Sequence, residues 1–380
     1  MDRRRFLKYA SVGAIAGVAT GYCLRDVADR CASIQIPTIA TTTTQTVTET
    51  TTEPLSCSAS LRAAADVRGL LLGAAVAPEY LHDARYANTL AREFNFLTPE
   101  NAMKWGPVHP APDRWYFDPA DEIAKFASDH QMKVKGHAVI WDKMQMPSWV
   151  TSQMSTDELR RVMQEHIHTL VGRYRGRVYA WDVVNEAVDD AGGFRKGLFF
   201  EKLGEGYVAE AFQLAHEADP DALLFYNDYN AEATTGWRKE KCDRVYALVK
   251  KLLANGVPIH GVGLQMHISA TDYPRPVDVA ANIRRLAALG LKVNISEMDV
   301  QIKDVPGELP KRLEVQRQVY HDLIAACIKQ QSFIAVTFWG FTDAHSWIDE
   351  WFGQDDPLLF DENYQPKPAY WGVMDALVGR

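Results

Sequence analysis

Two glutamates stand where apolar runs of this chain turn polar. Glu186 follows Asn185 at the end of VYAWDVVNE (178–186), and Glu297 falls near the end of LKVNISEMDV (291–300). Either acid alone reads as a solvated or salt-bridged group at a strand end. As a pair facing one mouth they can divide the cleavage of a glycosidic bond between them. One protonates the leaving oxygen, the other attacks the anomeric carbon or activates water, and their separation decides between retention and inversion. EHIHT (165–169) lacks the H-E-x-x-H spacing of a zinc-binding helix, and no carboxylate cluster has metal-ligand spacing. Gly261 and Gly263 lack the third glycine of a dinucleotide loop. Neither a metal nor another cofactor is expected.

What must position these acids is a repeated alternation. After residue 60, short apolar runs alternate with longer amphipathic ones through eight cycles. The runs are LLLGAAVA (70–77), FNFLTPEN (94–101), KVKGHAVIW (133–141), the run ending at Glu186, LLFYNDYN (223–230), IHGVGLQMHI (259–268), the run carrying Glu297, and FIAVTFWGF (333–341). Such alternation describes a parallel sheet covered by helices, and eight units over roughly 320 residues predict an α/β fold of the (β/α)8 TIM-barrel type. Ser155 and Glu158 form a capping box ahead of one helix, while Gly256 and Gly290 supply left-handed residues after two others. In a barrel of this kind the strand C-termini carry the site.

The 380 residues, 47% hydrophobic and 24% charged, suffice for one large core. A net charge of -8 with dispersed Lys and Arg offers no basic face to nucleic acid, so a neutral or weakly charged substrate fits better. Among ten Trp and fifteen Tyr, most belong to the core, but those near strand ends present flat faces suited to sugar rings. Five cysteines (Cys23, Cys31, Cys57, Cys242 and Cys327) lack a CxxC pair or regular spacing and imply no disulfide framework. At the N-terminus, DRRRFLK (2–8) precedes an apolar run from Tyr9 to Leu24, the order of an export signal, and its Arg pair resembles a twin-arginine leader. Residues 1–24 are therefore expected to be a signal or membrane anchor that places the protein outside the cell or on its surface. The Thr-dominated stretch from Pro37 to Pro54 cannot bury enough apolar area to order itself, so 25–57 is expected to be a disordered linker and 58–380 the barrel.

From about Leu61 to Val378 the chain resembles the endo-1,4-β-xylanases of glycoside hydrolase family 10, motif after motif. The resemblance implies a retaining enzyme, expected to be monomeric, that cuts xylan or xylo-oligosaccharides, with Glu186 in WDVVNEA (181–187) as acid/base and Glu297 in ISEMD (295–299) as nucleophile. It further implies sugar contacts from Glu100, Asn101 and Lys104 in TPENAMKW (98–105), and from His137 and Trp141 in GHAVIW (136–141). Asn185 would bond the 2-hydroxyl with Asp182 behind, and Tyr229 would come from NDYN (227–230). In GLQMH (263–267), Gln265 would bond the sugar or the nucleophile and His267 would orient the nucleophile, steadied by Asp299. Trp339 and Trp347 of WGFTDAHSW (339–347) would stack on the substrate. On these roles, hydrogen bonds from His267 and Gln265 favour the carboxylate form of Glu297, and its negative charge raises Glu186 toward the protonated form an acid needs.

Two departures from the family pattern fall together. Asp142 follows the strand-three Trp where His is usual, and WDKMQMPSW holds one residue more before its Pro, which makes Gln145 the counterpart of a sugar-binding Gln. An ionised Asp142 in the barrel mouth would raise Glu186, whereas an Asp142 turned away would cap a backbone amide. Two other functions compete with xylan hydrolysis. One is a β-1,4-glucanase of the same barrel clan, whose substrate differs by a hydroxymethyl group that Trp339 and Trp347 would have to clear. The other is a non-catalytic carbohydrate-binding barrel, for which a carboxylate pair has no use.

Overall fold

The computed structural model describes residues 60–380; the expected leader (1–24) and Thr-rich linker (25–57) lie outside the described residues. Strands here are short and apolar enough to be covered on both faces, and Ala180–Asn185 is buried at every position. They are β1 (Leu71–Val76), β2 (Phe96–Pro99), β3 (Lys133–Gly136), β4 (Ala180–Asn185), β5 (Leu223–Asp228), β6 (Gly261–Leu264), β7 (His267–Ser269), β8 (Lys292–Gln301) and β9 (Phe333–Phe338). Pairing runs β6-β5-β4-β3-β2-β1-β9-β8, and β6 pairs again with β8 to close the ring. All of these ladders are parallel. The fold is a closed eight-stranded (β/α)8 barrel, with β7 as an extra piece paired to β8 alone.

Helices cover it in the expected order: α1 (Leu61–Val67), α2 (Ala84–Glu93), α3 (Trp105–Val108), α4 (Asp118–Asp129), α5 (Thr156–Arg173), α6 (Leu198–Leu203), α7 (Gly206–Ala218), α8 (Lys239–Ala254), α9 (Pro276–Ala287), α10 (Leu309–Cys327), α11 (Trp347–Phe352) and α12 (Pro368–Val378). The Ser155 side chain caps α5 by accepting the Glu158 N–H at 3.2 Å. Gly256 and Gly290 follow α8 and α9 with φ of 71° and 82°. Cys242 and Cys327 are buried thiols, and the remaining three cysteines lie outside the described residues.

Three irregularities shape the mouth. Strand β4 carries an extra residue against β5 between Asp182 and Val184, and β8 carries one against β9 between Ile295 and Met298. Each bulge lies just before or at a glutamate of the pair, where an added residue re-aims the side chains that follow. The sixth run, expected as one strand over 259–268, is two pieces: β6 stops at Leu264, Met266 turns through φ 65°, and His267 resumes by pairing with Asp299. Gln265 still bonds both neighbours through its backbone, donating to Asp228 O at 3.0 Å and accepting the Glu297 N–H at 3.1 Å, and the chain turns out of the barrel at Met266.

Candidate active site

Glu297 and Glu186 are 5% and 6% exposed and face one another across the barrel mouth, linked through an amide network. Glu297 Oε1 accepts a 2.6 Å hydrogen bond from Asn227 Nδ2, and the same amide donates to Asn185 Oδ1 at 2.9 Å. Asn227 is fixed in turn by Ser296, whose hydroxyl donates to its Oδ1 at 2.6 Å. Gly263 makes room for this arrangement, because a Cβ there would stand 2.2 Å from Asn227 Oδ1. The lone glycines of β6 thus serve close packing.

On its other oxygen Glu297 receives His267 Nε2 at 3.1 Å, and His267 Nδ1 donates to Asp299 Oδ2 at 2.8 Å. Trp347 adds its indole N–H to that same Asp299 oxygen at 2.8 Å, and its ring packs edge-on to His267. Burial alone would discharge the imidazole. The Asp299 charge and hydrogen bond, with those of Glu297, overturn that and raise His267 to about 10, so it stands as an imidazolium between two carboxylates. Burial likewise works against the Glu297 carboxylate, but the His137 ring 4.0 Å away, the His267 hydrogen bond and charge, and the Asn227 amide hold it at about 2. Behind, Asp182 accepts His137 Nδ1 at 3.0 Å and pairs with the buried Lys135 ammonium at 2.8 Å.

Glu186 is built differently. It takes φ 56°, a left-handed conformation that costs a non-glycine residue about 1–3 kcal/mol. Its N–H donates to Asn227 O at 2.9 Å, and its carbonyl accepts Arg195 Nε at 2.8 Å, which pins the turn that lifts the side chain into the mouth. Gln265 Nε2 donates to Glu186 Oε1 at 3.3 Å, while Lys143 Nζ reaches Oε2 at 3.1 Å and Arg195 Nη2 the same oxygen at 3.5 Å. The expectation that Glu297 raises Glu186 is therefore corrected in its outcome. Burial does raise Glu186, and so does Glu297, but Lys143, then Arg195 and Lys241, outweigh them and hold it below the ordinary carboxylate range. A second correction concerns the expected bond from Gln265 to Glu297: its amide bonds Glu186 (3.3 Å) and Asn185 (3.2 Å), and the amide on Glu297 is that of Asn227.

The residues expected to hold sugar gather on the same rim. Lys104 Nζ donates to Asn101 Oδ1 at 2.9 Å and lies over the faces of Trp141 (4.7 Å) and Trp339 (5.8 Å). Gln145 Nε2 also donates to Asn101 Oδ1, at 2.8 Å, which brings the displaced loop glutamine to the segment its role requires. Glu100 lies beside them, its carboxyl pushed up by burial against the pull of Lys104. Trp339 meets the His137 ring edge at 5.1 Å. Tyr229 accepts from Arg195 Nη2 at 3.1 Å, and the Lys241 ammonium sits 3.2 Å from its ring centroid while pairing with Asp228 at 2.8 Å. Asn185 Oδ1 accepts from both Asn227 and Gln265. Asp142 takes the capping role: its Oδ2 accepts the Phe199 N–H at 2.8 Å at the start of α6. The sequence reading missed Asn227, Lys143, Arg195 and Lys241. Of these, Asn227 lay inside NDYN and Lys143 inside WDKMQMPSW, while Arg195 and Lys241 lay outside every motif.

Two buried carboxylates, one held at about 2 and the other among three cations, at the C-terminal mouth of a (β/α)8 barrel among amides and indoles, make the site of a glycoside hydrolase. Comparison with known proteins agrees: the profile described as Glycosyl hydrolase family 10 matches residues 60–376, and the chain belongs to that family. Endo-1,4-beta-xylanase B of Thermotoga neapolitana is 40% identical over 325 residues, covering 83% of this chain and 91% of the relative. Xylanase 10B of Thermotoga maritima superposes with a TM-score of 0.79 at 40% identity, covering 84% of this chain and 98% of that one. Xylanase 10B of Thermotoga petrophila, solved in complex with xylobiose, gives a TM-score of 0.79 at 39% identity, covering 84% and 97%.

Proposed function

We propose that this chain is a retaining endo-1,4-β-xylanase in which Glu297 attacks the anomeric carbon and Glu186 serves as acid and then base. The observation that carries the role assignment is the asymmetry of the pair. Glu297 is held at about 2 by His137, His267 and the Asn227 amide, as a nucleophile must be, whereas Glu186 has one oxygen on the Gln265 amide and the other on the Lys143 and Arg195 cations. In the first step Glu186 gives its proton to the leaving oxygen as Glu297 forms the glycosyl ester. Esterification removes the Glu297 charge, and with it one push that raised Glu186, so the carboxylate form that Lys143, Arg195 and Lys241 favour is left as the base that takes a proton from the attacking water. His267 stays charged throughout and steadies Glu297 as leaving group when the ester breaks.

The xylan assignment rests on the family and on relatives that bear the xylanase name across most of both chains. Release of reducing sugar from xylan, at least about tenfold faster than from carboxymethyl-cellulose, is the expected result. Equal or reversed rates would make the enzyme a glucanase, and no release from either would leave a binding barrel. Proton NMR of early products on an oligosaccharide should show the β anomer first.

The N-terminal 57 residues are read as an export leader and tether and take no part in the reaction. Their deletion should leave the thermal midpoint and kcat/KM on xylan within twofold of the full chain. Failure of the shortened chain to fold would move the domain boundary toward the N-terminus.

A further inference from the structure

The loop on which this chain departs from its family delivers a cation to the acid/base. Asp142 is tied to the Phe199 N–H, and Gly197 admits it, since a Cβ there would stand 2.3 Å from Asp142 Oδ2. Three residues on, Gln145 is tied through its side chain to Asn101, and its carbonyl accepts the Gly106 N–H at 2.7 Å. Lys143 spans the interval between these anchors with its side chain 26% exposed, and its ammonium lies 3.1 Å from Glu186 Oε2. We propose that Lys143 is a positioning residue for Glu186, a counter-cation built into the displaced loop that favours the base form of the carboxyl and sets the alkaline limit of the enzyme at lower pH.

The other cations around Glu186 each have further partners. From the loop after β4, Arg195 spends its Nε on the Glu186 carbonyl and an Nη on Tyr229. From α8, Lys241 pairs with Asp228 and Asp190 at 2.8 and 3.2 Å. Lys104, after β2, bonds Asn101. Glu297 on β8 and Asp228 on β5 repel the Glu186 charge. Lys143 makes the shorter of the two ion pairs to the Glu186 carboxylate, 3.1 Å against 3.5 Å for Arg195, and among the described residues it makes no other ion pair; the Tyr229 ring lies 5.3 Å from its ammonium. A cation so placed disfavours the protonated acid that glycosylation needs and favours the carboxylate that deglycosylation needs. The Asp142 departure then has a purpose: it anchors the backbone that aims its neighbour.

The inference rests on Glu186 being the acid/base, and the test separates the two. In Lys143→Met the alkaline limb of kcat/KM on a xylo-oligosaccharide should move up by about one pH unit, a gain of about tenfold at pH values above both limbs. Lys143→Arg should keep the wild-type limb, and Asp142→Asn should move it part of the way. Circular dichroism and the thermal midpoint of each variant establish that the barrel is intact. An unmoved limb in Lys143→Met, or an equal shift in Lys143→Arg, overturns the role of Lys143. Glu186→Ala locates the other failure: a limb that survives this substitution belongs to another group and sinks the acid/base reading along with the inference.

Discussion

Glu297→Ala should lose about 10⁵-fold in kcat on xylan, the scale of removing a nucleophile from a working constellation. No second carboxylate is in position to replace it: Asp299 is committed to His267 and Trp347, and Asp182 to His137 and Lys135. Glu297→Gln should be equally inactive, since the amide keeps the shape but not the nucleophile. Added azide should then restore turnover of an aryl glycoside by Glu297→Ala, because a small anion can enter the space of the missing carboxylate, and the product should be the inverted glycosyl azide. A retained product, or a variant that keeps most of its activity, would assign the attack to another group.

The second large effect belongs to Glu186→Ala and depends on the substrate. Oligosaccharides and aryl glycosides with poor leaving groups need a proton in the first step and should lose about 10²- to 10⁴-fold in kcat/KM, the usual worth of general acid catalysis. Aryl glycosides with good leaving groups should keep most of their kcat/KM while kcat falls, as the ester accumulates for want of a base. Equal losses on both classes would contradict the acid role. The geometry leads to this expectation through Gln265 and Lys143, which hold the two oxygens of Glu186 in the mouth without being able to replace its proton. Azide acting on this variant should give the retained product, opposite to that from Glu297→Ala.

Much of this was legible in the chain. Eight apolar runs separated by amphipathic ones allow little besides a parallel barrel, because both faces of each strand must be covered. Local chemistry located Ser155, Gly256 and Gly290 at their helix ends, since caps depend on neighbours a few residues away. The motifs placed Glu186, Glu297, His267 and Asp299 on strand ends, and the structure brings them together at one mouth.

Contacts between segments far apart in the chain were decided only by the tertiary structure. Nothing within LKVNISEMDV announces an extra residue against β9 at Glu297, nor within IHGVGLQMHI a break at Met266, because register is settled by the strand on the far side of the ladder. The exchange of amides is of the same kind. Whether Gln265 or Asn227 serves Glu297 depends on how β5, β6 and β8 stagger, and on the space that Gly263 leaves. Sequence alone determined that two carboxylates would share a barrel mouth, since the strand period and the polar strand ends require it. The balance of charge on Glu186 came from Lys143, Arg195 and Lys241, three cations on separate loops and helices. Coulomb interactions act through space, so no spacing along the chain could have shown their sum.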